Sequence, residues 1–291
     1  MRPFDLHLPE TLPEAVEWMT QLAPDGMAIA GGTDLLLKLR GGAISPKALV
    51  SLARLSELAE LSFDAENGLR VGAGVTLSQL LRSPLIRQHY PVLCQAGSEM
   101  GSEQVRSIAT VGGNLCNAAP SADLAPPLIA LGSRAVIAGP SGERFLPLES
   151  FFEGPGKTAL APGELLKEVL IPPPCGRTIY LKHSSRTYMD IAVVGVAVQL
   201  AAANGGPQKV RIVLGAVAPT PIRALRAEAV LAEARLDAEG IEESARLAAQ
   251  ECAPIDDIRS SAWYRRRMVT VLVRRALSSM TDLASYPEAE R

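Results

Sequence analysis

Apolar residues near the start of the chain follow the spacings of alternating helices and strands. Thr11-Leu12-Pro13-Glu14 has the order of a capping box and predicts a helix that continues to about Leu22. The short apolar run Met27 to Ala30 then predicts a buried strand. Leu69 to Gly74 predicts another strand, and a second capping box over Thr76 to Gln79 begins another helix. The N-terminal part of the chain therefore has an α/β pattern.

The middle of the chain carries further helix and strand signals up to a stretch of three prolines. The three-and-four spacing of apolar residues after Pro91 predicts a helix, whereas alternation over Gln104 to Ala109 predicts an extended segment. Ser121 is expected to cap another helix, with Asp123 in its first turn, where the helix dipole favours a carboxylate. Pro172-Pro173-Pro174 cannot continue a sheet or a helix interior, so it marks a domain boundary.

Beyond the prolines, strand patterns come first and helix patterns follow. The predicted strands are Ile179 to Lys182, Ile191 to Ala203 and Gln208 to Val217, and the predicted helices are Ala224 to Glu233, Ile241 to Cys252 and Ala262 to Ser278. A turn at Asn204-Gly205-Gly206-Pro207 is expected to join the last two strands. This order predicts a small sheet backed by helices.

Two segments with paired glycines stand out from this background. We call Ala30-Gly31-Gly32-Thr33-Asp34 the first glycine motif and Thr110-Val111-Gly112-Gly113-Asn114 the second glycine motif. Glycines without a Cβ allow a phosphate or a flat ring to approach backbone N–H groups. Either motif alone is also explained by a tight turn. Two such loops could close on one ligand from opposite sides.

Composition and charge exclude several classes of function. The 29 basic and 31 acidic residues nearly balance, which leaves no electrostatic footprint for nucleic acid or a membrane surface. The densest charge run, Arg265-Arg266-Arg267, is expected to be a solvated helix face or a subunit contact. The longest apolar run, Ile191 to Ala203, is too short to span a bilayer. The N-terminal residues lack the pattern of a signal peptide, so we expect a cytoplasmic protein.

Three further kinds of site lack their sequence signatures. The four cysteines have no C-x-x-C spacing for zinc or an iron–sulfur cluster, and most are expected to be buried thiols; they are Cys94, Cys116, Cys175 and Cys252. Gly156-Lys157-Thr158 lacks the spacing of a phosphate loop for nucleoside triphosphates. No G-x-G-x-x-G fingerprint of a Rossmann fold is found where such a fold would need it.

The two glycine motifs and four later segments together resemble the flavin-binding medium subunit, or flavin domain, of molybdenum hydroxylases such as xanthine dehydrogenase and carbon monoxide dehydrogenase. The later segments are Ser121-Ala122-Asp123, Gly154-Pro155-Gly156-Lys157-Thr158, Pro162-Gly163-Glu164-Leu165-Leu166 and Asp190-Ile191-Ala192. The resemblance covers nearly the whole chain. It implies an α+β fold of the vanillyl-alcohol-oxidase/PCMH type, with FAD between two α/β subdomains, 1–56 and 57–174, and a C-terminal domain, 175–291, made of a three-stranded sheet with helices.

The resemblance also implies which residues contact FAD. These are Ala28, Ile29, Ala30, Gly31, Gly32, Thr33, Asp34, Leu35, Met100, Thr110, Val111, Gly112, Gly113, Asn114, Asp123, Leu166 and Lys182. A cation at Lys182 near the N1/C2=O side of the flavin would stabilise the anionic reduced form. The carboxylate of Asp34 is repelled by phosphate, so we expect it to bind backbone amides or a ribose hydroxyl. Valine at Gly32 or Gly113 is expected to exclude FAD while the fold is retained.

The function implied by this resemblance is that of an FAD-carrying electron-transfer subunit. A large subunit with a molybdenum cofactor would hydroxylate the substrate, and a small subunit with [2Fe-2S] clusters would carry electrons to FAD, which passes them to NAD⁺, oxygen or another acceptor. This chain would then need neither a catalytic acid–base residue nor a metal ligand. Two alternatives stay open, a stand-alone FAD-dependent oxidase and a non-enzymatic binding or assembly protein whose glycine motifs are only turns.

Overall fold

A computed structural model of the protein describes residues 2–201, 209–233 and 236–281. The chain divides into two compact units. The first unit comprises Met1–Tyr90, Gly101–Ala118 and Gly132–Pro173, and the second comprises Pro91–Met100, Ala119–Leu131 and Pro174–Arg291. The turn predicted at 204–207 lies outside the described residues. The division into 1–56, 57–174 and 175–291 stays a prediction.

The secondary-structure elements are numbered in chain order. The strands are β1 (Asp5–His7), β2 (Gly26–Ile29), β3 (Ala48–Ser51), β4 (Leu61–Asp64), β5 (Gly68–Gly72), β6 (Arg134–Gly139), β7 (Gly142–Pro147), β8 (Phe152–Gly154), β9 (Lys157–Thr158), β10 (Leu165–Ile171), β11 (Arg177–His183), β12 (Val194–Ala201), β13 (Lys209–Gly215) and β14 (Ile222–Arg223). The helices are α1 (Leu12–Gln21), α2 (Leu35–Arg40), α3 (Leu77–Arg82), α4 (Pro84–His89), α5 (Pro91–Ser98), α6 (Glu103–Ile108), α7 (Val111–Cys116), α8 (Ala125–Ala130), α9 (Leu225–Glu233), α10 (Ala238–Glu251) and α11 (Ala262–Thr281).

The first unit is built on two larger sheets and one small hairpin. A parallel sheet has the strand order β1-β3-β2, an antiparallel sheet has the order β4-β5-β10-β6-β7, and β8 pairs with β9. Two helices of this unit begin as predicted. Thr11 accepts a hydrogen bond from the Glu14 amide at the start of α1, and Thr76 and Gln79 form a complete capping box at the start of α3. These starts are predictable because a cap involves only residues within one turn.

The extended segment predicted over residues 104–109 is wrong, because α6 occupies most of it. Ser102 has extended backbone angles, and its side chain accepts a hydrogen bond from the amide of Val105, 3.3 Å away. An N-cap serine of this kind stabilises the first turn of a helix. The alternation of polar and apolar residues was too short to distinguish a strand from a helix of six residues.

The second unit contains a four-stranded antiparallel sheet with the order β11-β12-β13-β14. The three predicted strands are present, and the two-residue strand β14 extends the sheet. Residues of β12, β13 and helices α9, α10 and α11 form one buried apolar core, which includes Val196, Val198, Ile212, Leu214, Leu231, Ala245, Val269 and Val273. This packing confirms the predicted arrangement of a small sheet with helices.

For the second unit, one expectation is wrong and another holds only in part. Helix α8 begins at Ala125, so Ser121 does not cap it and Asp123 lies before its first turn. In the run Arg265-Arg266-Arg267, Arg266 and Arg267 are exposed as expected of a solvated face, whereas Arg265 is only 4% exposed. Its guanidinium donates to the carbonyl oxygens of Val193 and Ala216 at 2.7 and 2.9 Å and pairs with Asp257. The hydrogen bonds to Val193 and Ala216 join residues that are 72 and 49 positions apart, so the local charge pattern could not indicate them.

None of the helices in the described ranges combines the length and hydropathy that a bilayer-spanning helix needs. Of the four free thiols, Cys252 is buried, Cys94 and Cys116 are partly buried, and Cys175 is exposed. The cysteines are thus more exposed than their expected role as buried thiols suggests.

Candidate functional site

The first unit contains a cavity of about 440 Å³ that small and apolar residues line. Predicted contact residues in this lining are Ala28, Ala30, Gly112, Gly113 and Leu166. Ligand-binding pockets commonly have volumes of roughly 300–1,000 Å³. The structure therefore brings residues of both glycine motifs and Leu166, which are far apart in sequence, to one cavity.

The first glycine motif follows β2 and leads into α2. Within the part of the chain that the structure describes, the amides of residues 31–35 donate to no acceptor; the next amide, that of Leu36, donates to Gly32. The side chain of Asp34 is exposed and does not cap α2. Several adjacent N–H groups without protein partners are suited to bind an anion such as a pyrophosphate. This motif has the property expected of it.

The second glycine motif differs from the expectation of uncovered amides. Thr110 caps α7 and accepts a hydrogen bond from the Gly113 amide, 3.0 Å away. The amides of Val111 and Gly112 donate to the carbonyl oxygens of Val75 and Ala73. Because protein acceptors already satisfy these N–H groups, the second motif contributes a close-packed wall of the cavity, whereas the free donors belong to the first motif.

Contacts within the protein already require several of these glycines. A Cβ on Gly31 would lie 1.9 Å from the carbonyl oxygen of Ile108, and a Cβ on Gly112 would lie 2.5 Å from the Cβ of Ala73. Gly32 has a φ of +72°, which a valine rarely adopts. A valine at Gly32 is therefore strained whether or not a ligand binds. The expectation that this variant loses only the ligand is not supported.

Two side chains of helix α7 carry polar or titratable atoms, and one of them, Cys116, lines the cavity. The Oδ1 atom of Asn114 is buried and has no hydrogen-bond partner among the described residues. A buried acceptor of this kind is costly unless a ligand or water supplies a donor. Cys116 lines the cavity, and burial raises the pKa of its thiol to about 12, so the thiol stays protonated at neutral pH. No sequence pattern indicated Cys116 as a lining residue.

One wall of the cavity is held by an ion pair that the sequence did not reveal. Residues 160–166 line the cavity, and within them Glu164 accepts hydrogen bonds from Arg144 Nε and Nη2, both at 2.6 Å. Glu164 also accepts the amide of Ala161 at 2.7 Å, and Arg144 donates to the carbonyl oxygen of Ala159. The hydrogen bonds from Arg144 lower the pKa of the Glu164 carboxyl. The pair therefore fixes the turn that leads into β10.

Replacing Glu164 with glutamine is expected to lower the free energy of unfolding by about 2 kcal/mol at neutral pH, since bonds to a charged acceptor are lost. The folded-state pKa of Glu164 lies below its ordinary value of 4.5, so the stabilisation is present above pH 4.5 and is lost as the pH falls through the folded-state pKa. Urea unfolding of both proteins at neutral and acid pH measures this difference.

The matched control is Glu143→Gln, since Glu143 is 43% exposed and pairs with Lys167. An exposed pair contributes little, and we expect a change below about 0.5 kcal/mol. Equal losses for the two variants, or a loss at Glu164 that does not depend on pH, would contradict the structural role of the Arg144–Glu164 pair.

The remaining predicted contacts, Met100, Asp123 and Lys182, belong to the second unit. Asp123 and Lys182 form a buried ion pair, with Lys182 Nζ 3.0 Å from Asp123 Oδ2 and the two side chains 3% and 9% exposed for Lys182 and Asp123. Tyr180 donates its hydroxyl to Asp123 Oδ1 at 2.7 Å. We call these three residues the buried charge cluster. Lys182 is therefore not a surface residue, and Tyr180 is a member that sequence analysis missed.

The chain matches two family models over most of its length. A family model described as the FAD binding domain in molybdopterin dehydrogenase matches residues 2–174, and one described as the CO dehydrogenase flavoprotein C-terminal domain matches residues 179–280. The chain is 32% identical to the xanthine dehydrogenase FAD-binding subunit of Escherichia coli O157:H7, with 96% of each chain covered. It is 31% identical to the carbon monoxide dehydrogenase medium chain of Afipia carboxidovorans, covering 94% of this chain and 95% of that one.

Solved structures agree with these relationships. Carbon monoxide dehydrogenase from Hydrogenophaga pseudoflava contains a chain that matches with a TM-score of 0.91 and 32% identity, covering 97% of this chain and 99% of that one. Quinoline 2-oxidoreductase from Pseudomonas putida 86 contains one that matches with a TM-score of 0.90 and 30% identity, covering 98% and 99%. The chain therefore belongs to the family of FAD-binding medium subunits of molybdenum hydroxylases.

Proposed function

We propose that this chain binds FAD in the cavity of the first unit and serves as the electron-transfer flavoprotein of a molybdenum hydroxylase complex. The observation that carries the proposal is the row of unpaired amides at residues 31–35, which belongs to a loop whose neighbours line the same cavity as the second glycine motif. An oxidoreductase subunit of this family needs such a site for the pyrophosphate of its flavin.

The chain's residues have distinct proposed roles around FAD. The N–H groups of residues 31–35 donate to the pyrophosphate, and the Oδ1 atom of Asn114 accepts a hydrogen bond from the cofactor. Gly112, Gly113 and Leu166 form a close wall against it. The contacts of Met100, Asp123 and Lys182 with FAD stay predictions from the family resemblance. When bound, FAD supplies the ability to accept electrons singly and to release them as a pair.

The partners follow from the same family. Relatives of this chain are the medium chains of carbon monoxide dehydrogenase and of glyceraldehyde dehydrogenase. We propose that this chain likewise assembles with a large subunit that holds the molybdenum cofactor and a small subunit that holds [2Fe-2S] clusters. Electrons would enter from the small subunit and leave to NAD⁺, oxygen or another acceptor. Among the described residues, no group of three histidine, cysteine, aspartate or glutamate side chains is arranged to hold a metal ion.

A visible absorption spectrum of the purified chain, followed by denaturation and identification of the released cofactor, tests this proposal. We expect the bands of oxidised flavin and the release of FAD. Copurification of molybdenum and iron with this chain, from cells that also express the proposed large and small subunits, would support the assembly. A colourless chain that also fails to bind added FAD would contradict the proposed site and favour a non-enzymatic binding protein.

A further inference from the structure

The C-terminal end of helix α7 is bonded to two other segments of the first unit. Three residues of α7 line the cavity, Gly112, Gly113 and Cys116. The residue that follows the helix, Asn117, accepts a hydrogen bond from Lys38 Nζ at its Oδ1 atom, 2.7 Å away. The carbonyl oxygen of the next residue, Ala118, accepts the amide of Gly156 at 3.0 Å. The helix that forms one wall of the cavity is therefore tied to α2 and to the β8–β9 hairpin.

Ala118 has a backbone conformation that an alanine disfavours. Its φ is +45°, in the left-handed region, and the residue is 3% exposed. A residue with a Cβ stays in this region where the surrounding structure imposes it. The amide of Gly156 is one such constraint, because it holds the carbonyl oxygen of Ala118 directly. Tertiary contacts, rather than local preference, thus determine where α7 ends.

The β8–β9 hairpin has the turn chemistry that this bond requires. Pro155 and Gly156 lie between Gly154 and Lys157, which pair across the hairpin. Gly156 has a φ of +73°, and a proline followed by a glycine of positive φ is typical of a type II turn. A Cβ at Gly156 would meet nothing within 4 Å, so the glycine is needed for its conformation and not for space. The segment that lacks the spacing of a phosphate loop therefore presents an amide to the end of α7.

Helix α2 begins at Leu35, at the end of the row of unpaired amides of residues 31–35. It has six residues, and a helix this short depends on tertiary contacts for its stability and orientation. Leu39 supplies one such contact, since it is 3% exposed, and Lys38 supplies another through Asn117. The Lys38–Asn117 bond therefore links the helix that follows the free donors to the helix that forms the wall of the cavity.

We propose that Lys38, Asn117 and Gly156 are positioning residues of the FAD cavity. Their bonds hold α2, α7 and the β8–β9 hairpin in one arrangement, which sets the amides of residues 31–35 at a fixed distance from the α7 wall. The three residues act through these amides and this wall rather than by contact with FAD. The inference rests on the proposed function, in which the amides donate to the pyrophosphate and α7 packs against the cofactor.

The first test compares Lys38→Met with Arg40→Met in the full chain. Arg40 is a matched control, because it is an exposed cation on the same helix and its loss removes the same charge. Lys38→Met is expected to weaken FAD binding about fivefold, because binding must then order α2 against α7. Arg40→Met should stay within a factor of about two of the wild type. Lys38→Arg should recover most of the affinity, because its guanidinium can donate to Asn117.

Asn117→Leu tests the acceptor of the same bond. It should weaken FAD binding as much as Lys38→Met does, and the double variant should lose little more, because both changes remove one interaction. FAD affinity is measured by flavin fluorescence. The urea midpoint of the flavin-free chain is measured beside it and should change little, because Lys38 is exposed and an exposed bond contributes little to stability.

Gly156→Ala and Gly154→Ala test the hairpin as a matched pair. A Cβ meets nothing within 4 Å at either position, and of the two glycines Gly156 has the left-handed φ. Gly156→Ala should therefore shift its amide away from Ala118 and weaken FAD binding about threefold. Gly154→Ala should leave the affinity unchanged.

The outcomes separate this inference from the proposed function. Failure of the wild-type chain to bind FAD would overturn both. Normal binding by the wild type, with Lys38→Met, Asn117→Leu and Gly156→Ala all within a factor of about two of it, would overturn the positioning role alone. A loss for Lys38→Met that Asn117→Leu does not share would mean that Lys38 acts on the ligand by its own charge, which also contradicts the inference. Losses of affinity that follow the urea midpoint, without recovery in Lys38→Arg, would show that the bond is merely structural.

Discussion

Replacing Gly31 with alanine is expected to abolish measurable FAD binding and to lower the free energy of unfolding of the flavin-free chain by about 3 kcal/mol. A Cβ at this position would lie 1.9 Å from the carbonyl oxygen of Ile108 and 3.1 Å from the Cα of Ala109. Backbone atoms cannot rotate away as a side chain can. The segment before Thr110 therefore has to move, and the second glycine motif moves with it.

Urea unfolding of the flavin-free chain and fluorescence titration with FAD measure the two effects separately. Gly154→Ala is the control, because a Cβ at Gly154 meets nothing within 4 Å and its φ lies outside the left-handed region. We expect this control to lie within about 0.5 kcal/mol of the wild type. If Gly31→Ala loses FAD but keeps the stability of the flavin-free chain, the glycine is needed by the ligand alone and the packing argument is wrong.

Gly31 also illustrates how far the sequence could predict the site. Paired glycines correctly indicated a place where backbone segments approach closely, and residues of both motifs line one cavity. The sequence could not show whether a glycine is needed because another protein segment packs against it or because a ligand does. The close neighbour of Gly31 is Ile108, and that of Gly112 is Ala73. Both contacts join protein segments that are far apart in the sequence.

Local signals predicted the fold better than they predicted contacts. The capping residues of α1 and α3 interact within one turn, so their patterns were sufficient. Helix α6 and the two-residue strand β14 were missed, because six and two residues give too little periodicity. The order of strands and helices after the prolines was long and regular, and the structure confirms it.

The buried charge cluster shows most clearly which contacts the sequence could not predict. Asp123 and Lys182 were each predicted from the family resemblance, but nothing local indicated that they pair. Tyr180 had one usable signal, since a residue two positions before Lys182 on a strand shares its face. The hydrogen-bond partner of Tyr180, Asp123, is 57 residues away in the sequence, and only the tertiary structure identifies it.

Lys182→Met is expected to destabilise the flavin-free chain by about 3 kcal/mol at neutral pH, because it leaves the carboxylate of Asp123 buried without its counter-ion. Removing Lys182 also removes an interaction that opposes the raised pKa of Asp123. The folded state of the variant then binds a proton more readily than the unfolded state does. Its stability should therefore rise as the pH falls through the folded-state pKa of Asp123, and the deficit should shrink.

Apolar replacement of the whole cluster, Asp123→Leu with Tyr180→Phe and Lys182→Met, should recover most of this stability, because no buried charge is left unpaired. Lys157→Met is the exposed control: Lys157 is 73% exposed beside Glu153, and its loss should cost less than about 0.5 kcal/mol. Urea unfolding across a range of pH measures all three proteins. A triple variant as unstable as Lys182→Met would mean that an unpaired buried charge is not what destabilises Lys182→Met.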